Sequence, residues 1–92
     1  MDVTQELYNV IIGRKETPVE GSYTNYLLNK GTEKIAKKVG EEAVETAIAA
    51  AKNSKQEVIE EIADLEYHVL VLMADMGITL DEVRQELKSR RS

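Results

Sequence analysis

The chain has 92 residues, 42% of them apolar, with 17 acidic residues against 12 basic ones and a formal net charge of −5. That length points to one domain, residues 1–92, and leaves so much surface outside a core that a partner is expected. The acidic balance excludes a general nucleic-acid surface. The lack of cysteine excludes disulfides, thiolate metal sites and a thiol nucleophile. The longest apolar run, Val69 to Ala74, is far below the roughly 20 residues of a membrane span, so no membrane partner and a soluble, cytoplasmic chain are expected.

Helical periodicity begins near residue 3, with Leu7, Val10 and Ile11 on one face, and the first helix runs to about residue 14. Lys15 to Gly21, around the single Pro18, forms the one long loop. A short helix follows, capped by Ser22 or Thr24 and stopped by Gly31. The third helix runs from about Thr32 to Lys52, with a predicted buried stripe of Ile35, Ala36, Val39, Ala43, Ala47, Ala50 and Ala51. Gly40 sits inside it at a cost of about 1 kcal/mol relative to Ala, which implies a need for space or backbone there. Ser54-x-x-Glu57 reads as a capping box opening a helix to Met76, Gly77 ends that helix, and Thr79-x-x-Glu82 opens a last one that ends near Arg90. The fold class is all-α with four to five helices.

Charge follows the same periodicity. Lys34, Lys38, Glu41 and Glu45 share a strip of the third helix, with Glu42 at its edge, facing away from the alanines. Glu57, Glu61, Asp64 and His68 form a strip of the fourth, opposite Val58, Ile62, Val69 and Met73. Either strip alone also fits a solvated face. Two observations favour more. The fourth helix is apolar nearly all round beyond Tyr67, so it is not a surface helix. Acid pairs at i,i+3 also recur on both helices, Glu42 with Glu45 and Glu61 with Asp64, and antiparallel packing brings the pairs to one point. Like charges about 5 Å apart repel by roughly 3 kcal/mol at an effective dielectric near 20. A hard divalent cation, Mg²⁺ or alternatively Mn²⁺, relieves that repulsion with oxygen ligands alone. Phosphate-ester or phosphoanhydride hydrolysis is the matching chemistry.

Glu41-Glu42-x-x-Glu45 followed by Glu61-x-x-Asp64 resembles the metal-binding signature of the all-α nucleoside triphosphate pyrophosphatase (MazG-like) superfamily. Gly21-Ser22-Tyr23-Thr24, Lys37-Lys38-Val39-Gly40-Glu41-Glu42, and Ala63-Asp64-Leu65 with Tyr67-His68 resemble one of its families in order and spacing, phosphoribosyl-ATP pyrophosphohydrolase. The resemblance implies Mg²⁺-dependent hydrolysis of phosphoribosyl-ATP to phosphoribosyl-AMP and pyrophosphate, the second step of histidine biosynthesis. It also implies a homodimer that completes a four-helix-bundle core. Sister families act on other nucleoside triphosphates, which is the alternative substrate class.

Carried over by position, Glu42, Glu45, Glu61 and Asp64 are the metal ligands, and Glu41 is a supporting group or base. Arg14, Lys15, Lys34, Lys37 and Lys38 are candidates for the triphosphate, with a solvated face as the plain alternative for any one lysine. Ser22, Tyr23 and Thr24 are candidates for phosphate or ribose, Ser22 serving equally well as a simple cap. His68, the single histidine, is expected to orient Asp64 or Glu61 by a hydrogen bond. Glu66 stands where an apolar residue is expected and marks an altered interface contact. A non-enzymatic helical dimerisation module remains the reading from another class.

Overall fold

A computed structural model describes residues 2–91. Five helices follow one another: α1 Val3–Glu16, α2 Tyr23–Lys30, α3 Thr32–Ala51, α4 Lys55–Met76 and α5 Leu80–Ser89. Their ends carry the local signals of the sequence. Ser22 caps α2 by accepting the Asn25 amide at 3.2 Å. Gly31, at φ 93°, and Gly77, at φ 71°, take left-handed backbone that L side chains avoid, and so separate α2 from α3 and close α4. Thr79 and Glu82 form the reciprocal box at the start of α5, with bonds of 3.1 and 2.8 Å.

The box expected at Ser54 forms only in half. Ser54 Oγ accepts the Glu57 amide at 3.4 Å, while the Glu57 carboxylate turns to Lys52 Nζ at 2.8 Å. An ion pair across the α3–α4 turn has taken the place of the reciprocal bond. Asn53 makes that turn with φ 56°, which a short polar side chain tolerates.

α3 and α4 pack antiparallel along much of their length, and α1 and α2 cover one end of that hairpin. The core lies at this end: Tyr8 and Ile11 from α1, Leu27 from α2, Ile35 from α3, Leu70, Val71, Met73 and Ala74 from α4, and Leu80 from α5. The Tyr8 hydroxyl donates to the Ile78 carbonyl at 2.6 Å, which ties the entry of α5 to α1. At the other end of the hairpin Val44, Ile48, Ile59 and Ile62 stay exposed, at 60, 54, 51 and 40%.

The alanine stripe predicted to be buried on α3 is largely exposed: Ala36, Ala43, Ala47 and Ala50 all face outward. The seam toward the rest of the chain is instead Ile35, Glu42 and Ala49, a spacing of seven. Composition does not decide which face turns inward, because alanine fits either side of a helix and a glutamate ordinarily seeks water. Ile62, expected on the buried face of α4, is likewise exposed. A Cβ at Gly40 would meet nothing within 4 Å, so no neighbour among the described residues requires a glycine there.

Candidate metal and phosphate site

The seam between α3 and α4 holds the chemistry. Val58, Glu61, Leu65 and His68 alternate by three and four along α4 and are half-buried or buried. They face a strip of α3 in which Glu42 is buried at 6% exposure. A packing seam with glutamates at knob positions is costly unless something answers the charge. Carboxylate oxygens of Glu42, Glu45 and Glu61 lie within 4.8 Å of one another. Glu42 Oε2 and Glu61 Oε2 are buried and have no hydrogen-bond partner among the described residues.

Burial pushes the Glu42 carboxyl above its ordinary range, and Glu45, then Asp64, push it further while His68 opposes them. Glu61 moves the same way, through desolvation first and then contact with Glu45, with Glu42 and Asp64 adding to it. Two orphaned oxygens and a shared upward shift describe a donor set that fits a hard cation. Asp64 is exposed and lies outside the trio, although its charge reaches both Glu42 and Glu61. Glu41 is exposed beside them and pairs with Lys38.

Lys38 Nζ stands 3.5 Å from Glu41 Oε1 and 3.7 Å from Glu42 Oε1. Its ammonium also lies near Tyr23, and the acidic neighbours together with Tyr23 raise its pKa against the desolvation that lowers it. Lys34 is half-buried and Lys37 exposed, and neither forms an ion pair among the described residues. The Arg14 carbonyl accepts from Asn25 Nδ2 at 2.8 Å. Lys15 has a different occupation from the one expected: its Nζ donates to the Ala74 carbonyl at 2.7 Å, at the negative end of α4.

The Gly21-Ser22-Tyr23-Thr24 run divides in the same way. Ser22 is a cap, and the Thr24 hydroxyl meets the Tyr67 hydroxyl. Tyr23 alone reaches the acidic centre, where its hydroxyl lies 3.0 Å from His68 Nε2. Burial raises its pKa, and the Lys38 charge opposes that rise. His68 is buried at 4% exposure, with both Tyr23 and Tyr67 edge-on to its ring. Its Nδ1 meets the main-chain carbonyl of Asp64 at 2.8 Å, so the bond expected to a carboxylate goes to the backbone one turn earlier.

Asn25 carries no sequence signal of its role. It is 7% exposed, accepts the Val19 amide at 2.8 Å and donates to Arg14, so it fixes the loop between α1 and α2. A polar residue three positions after a cap looks like an ordinary helix residue, and its partners across the loop are invisible before folding.

The model of the family Phosphoribosyl-ATP pyrophosphohydrolase matches residues 4–91. The chain belongs to this family. It is 60% identical over 85 residues to a phosphoribosyl-ATP pyrophosphatase of Listeria monocytogenes, covering 92% of this chain and 82% of the relative. A phosphoribosyl-ATP pyrophosphatase of Clostridium botulinum is 51% identical over 90 residues, covering 98% and 82% respectively. A histidine biosynthesis bifunctional protein of Caldanaerobacter subterraneus is also 51% identical over 90 residues, which make up 44% of its length. Among the described residues no helix is long and apolar enough to cross a membrane.

Proposed function

We infer that this member of the phosphoribosyl-ATP pyrophosphohydrolase family hydrolyses phosphoribosyl-ATP to phosphoribosyl-AMP and pyrophosphate, in histidine biosynthesis. The observation that carries the mechanism is the carboxylate trio Glu42, Glu45 and Glu61, set in a packing seam with two buried oxygens that no described residue answers. Those residues would hold Mg²⁺, or Mn²⁺ in its place. Bound there, such a cation neutralises phosphate oxygens and lowers the barrier to water attack on the anhydride.

The remaining groups act through their own positions. Lys38, beside Glu41 and Glu42, brings positive charge to an otherwise acidic surface and attracts the triphosphate. Lys34 and Lys37, on the same helix, extend that attraction. Glu41 and Asp64, outside the trio, are the two carboxylates available to take a proton from the attacking water. His68 and Tyr23 support this edge of the site by holding each other and the Asp64 carbonyl.

The exposed Val44, Ile48, Ile59 and Ile62 support a homodimer in which a second copy covers the open end of the α3–α4 hairpin. A biosynthetic role and the lack of cysteine support a cytoplasmic location. The deciding experiment is pyrophosphate release from phosphoribosyl-ATP with Mg²⁺, run beside ATP and dCTP. Release from the first substrate alone is expected, and no release would overturn the reading.

A further inference from the structure

Tyr23 has two sides. Its hydroxyl belongs to the acidic centre, through His68 and the nearby charges of Lys38 and Glu42. Its ring forms part of the wall of an open cavity of about 660 Å³ under the loop before α2, together with Pro18, Val19, Gly21, Tyr26 and Asn29. That volume lies within the roughly 300–1,000 Å³ usual for small-molecule sites. The acidic centre and its lysines account for a triphosphate and leave the rest of a nucleotide unplaced.

The cavity is suited to that remainder. Tyr23 and Tyr26 are 46 and 44% exposed, and their rings stack at 6.0 Å with an interplanar angle of 20°. Such half-exposed, nearly parallel rings offer π surface to a planar base. Lys30 Nζ lies 5.7 Å from the Tyr26 ring centroid and sets a cation at that ring. The Asn29 side chain adds an amide donor and acceptor. The cavity is also preformed, since Asn25 pins Val19 and Arg14 on either side of the loop. A site that need not order its loop on binding retains more of its binding energy.

We propose that this cavity takes the purine nucleoside end of the substrate against Tyr23 and Tyr26, with Tyr23 as the shared wall between it and the phosphate site. The proposal rests on the phosphoribosyl-ATP reading for its substrate. It assigns Tyr26, Asn29 and the loop 18–21 to recognition of the base and ribose, and makes Tyr26 a specificity-determining residue remote from the acidic trio.

The test is steady-state kinetics of Tyr26→Ala and Tyr26→Phe on phosphoribosyl-ATP, with AMP as an inhibitor of the wild-type chain and both variants. Loss of one stacking face raises KM about tenfold in Tyr26→Ala and weakens AMP inhibition by a similar factor. Tyr26→Phe retains the wild-type values. An NMR titration of the wild-type chain with AMP reads the same site without a variant, and shifts the amides of Gly21, Tyr26 and Asn29. Unchanged KM and AMP inhibition in Tyr26→Ala, or AMP shifts confined to residues elsewhere, overturns the cavity assignment. Absence of pyrophosphate release by the wild-type chain overturns the substrate reading instead, so the two failures are distinct.

Discussion

His68 Nδ1 lies 2.8 Å from the main-chain carbonyl of Asp64, and a carbonyl only accepts, so that nitrogen carries a proton. In a neutral imidazole the other nitrogen is then an acceptor, and it faces the Tyr23 hydroxyl at 3.0 Å. In that neutral form the Tyr23 proton points at His68, which leaves the hydroxyl lone pairs for donors on the Lys38 side. Tyr23→Phe removes the partner of a ring nitrogen in a residue only 4% exposed. An unsatisfied buried acceptor costs about 1–3 kcal/mol, which urea unfolding detects. Nitrogen-15 NMR of the wild-type chain is expected to show a proton on Nδ1, and an Nδ1 without one would contradict this geometry.

The carboxylates outside the trio separate ligand from base. Addition of Mg²⁺ is expected to raise the melting temperature, by about 2.7 kcal/mol of linkage at a hundredfold excess over Kd. Glu45→Gln and Glu61→Gln abolish that rise, since both belong to the converging set. Glu41→Gln and Asp64→Asn retain most of it, and whichever serves as base loses about 10²-fold or more in kcat. An Asp64→Asn chain that no longer responds to Mg²⁺ would place Asp64 among the ligands, as the resemblance alone implied.

The titration of the trio gives a pH dependence of definite sign. Glu42 and Glu61 hold their protons above the ordinary value of 4.5, so the metal-free fold binds more protons than the unfolded chain. Their stabilising contribution is complete below 4.5 and is lost as pH rises through the raised values. In EDTA, Glu42→Gln should therefore unfold at higher urea than wild type at pH 8, and the difference should shrink as pH falls toward 4.5. Saturating Mg²⁺ reverses the order. Parallel pH profiles for the two chains in EDTA would refute the assigned repulsion.

Much of this architecture is legible because its signals are local. Gly31, Gly77, Ser22 and the Thr79–Glu82 box act within a few residues and end helices wherever the helices go. The acid pairs at i,i+3 were readable for the same reason. What periodicity could not settle is the face that α3 turns inward, because Ala43 and Ala47 are at home on either side and only the approach of α4 buries Glu42. Lys15 and Asn25 fall in the same class. Their partners lie on Ala74, Val19 and Arg14, and their roles exist only after the chain has folded.

Those outward alanines share α3 with exposed branched side chains. Val44 and Ile48 of α3 and Ile59 and Ile62 of α4 expose apolar side chains at the end of the hairpin that α1 and α2 leave uncovered. A second copy packed there would bury them beside the alanines and leave the carboxylate seam between the helices of each hairpin. A charge placed among them lacks solvation in that interface and costs several kcal/mol. Ile62→Lys is therefore expected to halve the mass found by sedimentation, with helical circular dichroism retained because the core lies at the other end. Ile62 stands one residue after Glu61, so the monomeric variant also shows whether the trio needs a neighbour to stay ordered. A Mg²⁺ shift lost along with the dimer means that the partner buttresses the site, and a shift retained means that each hairpin suffices. A wild-type chain that sediments as a monomer removes the dimer from the account.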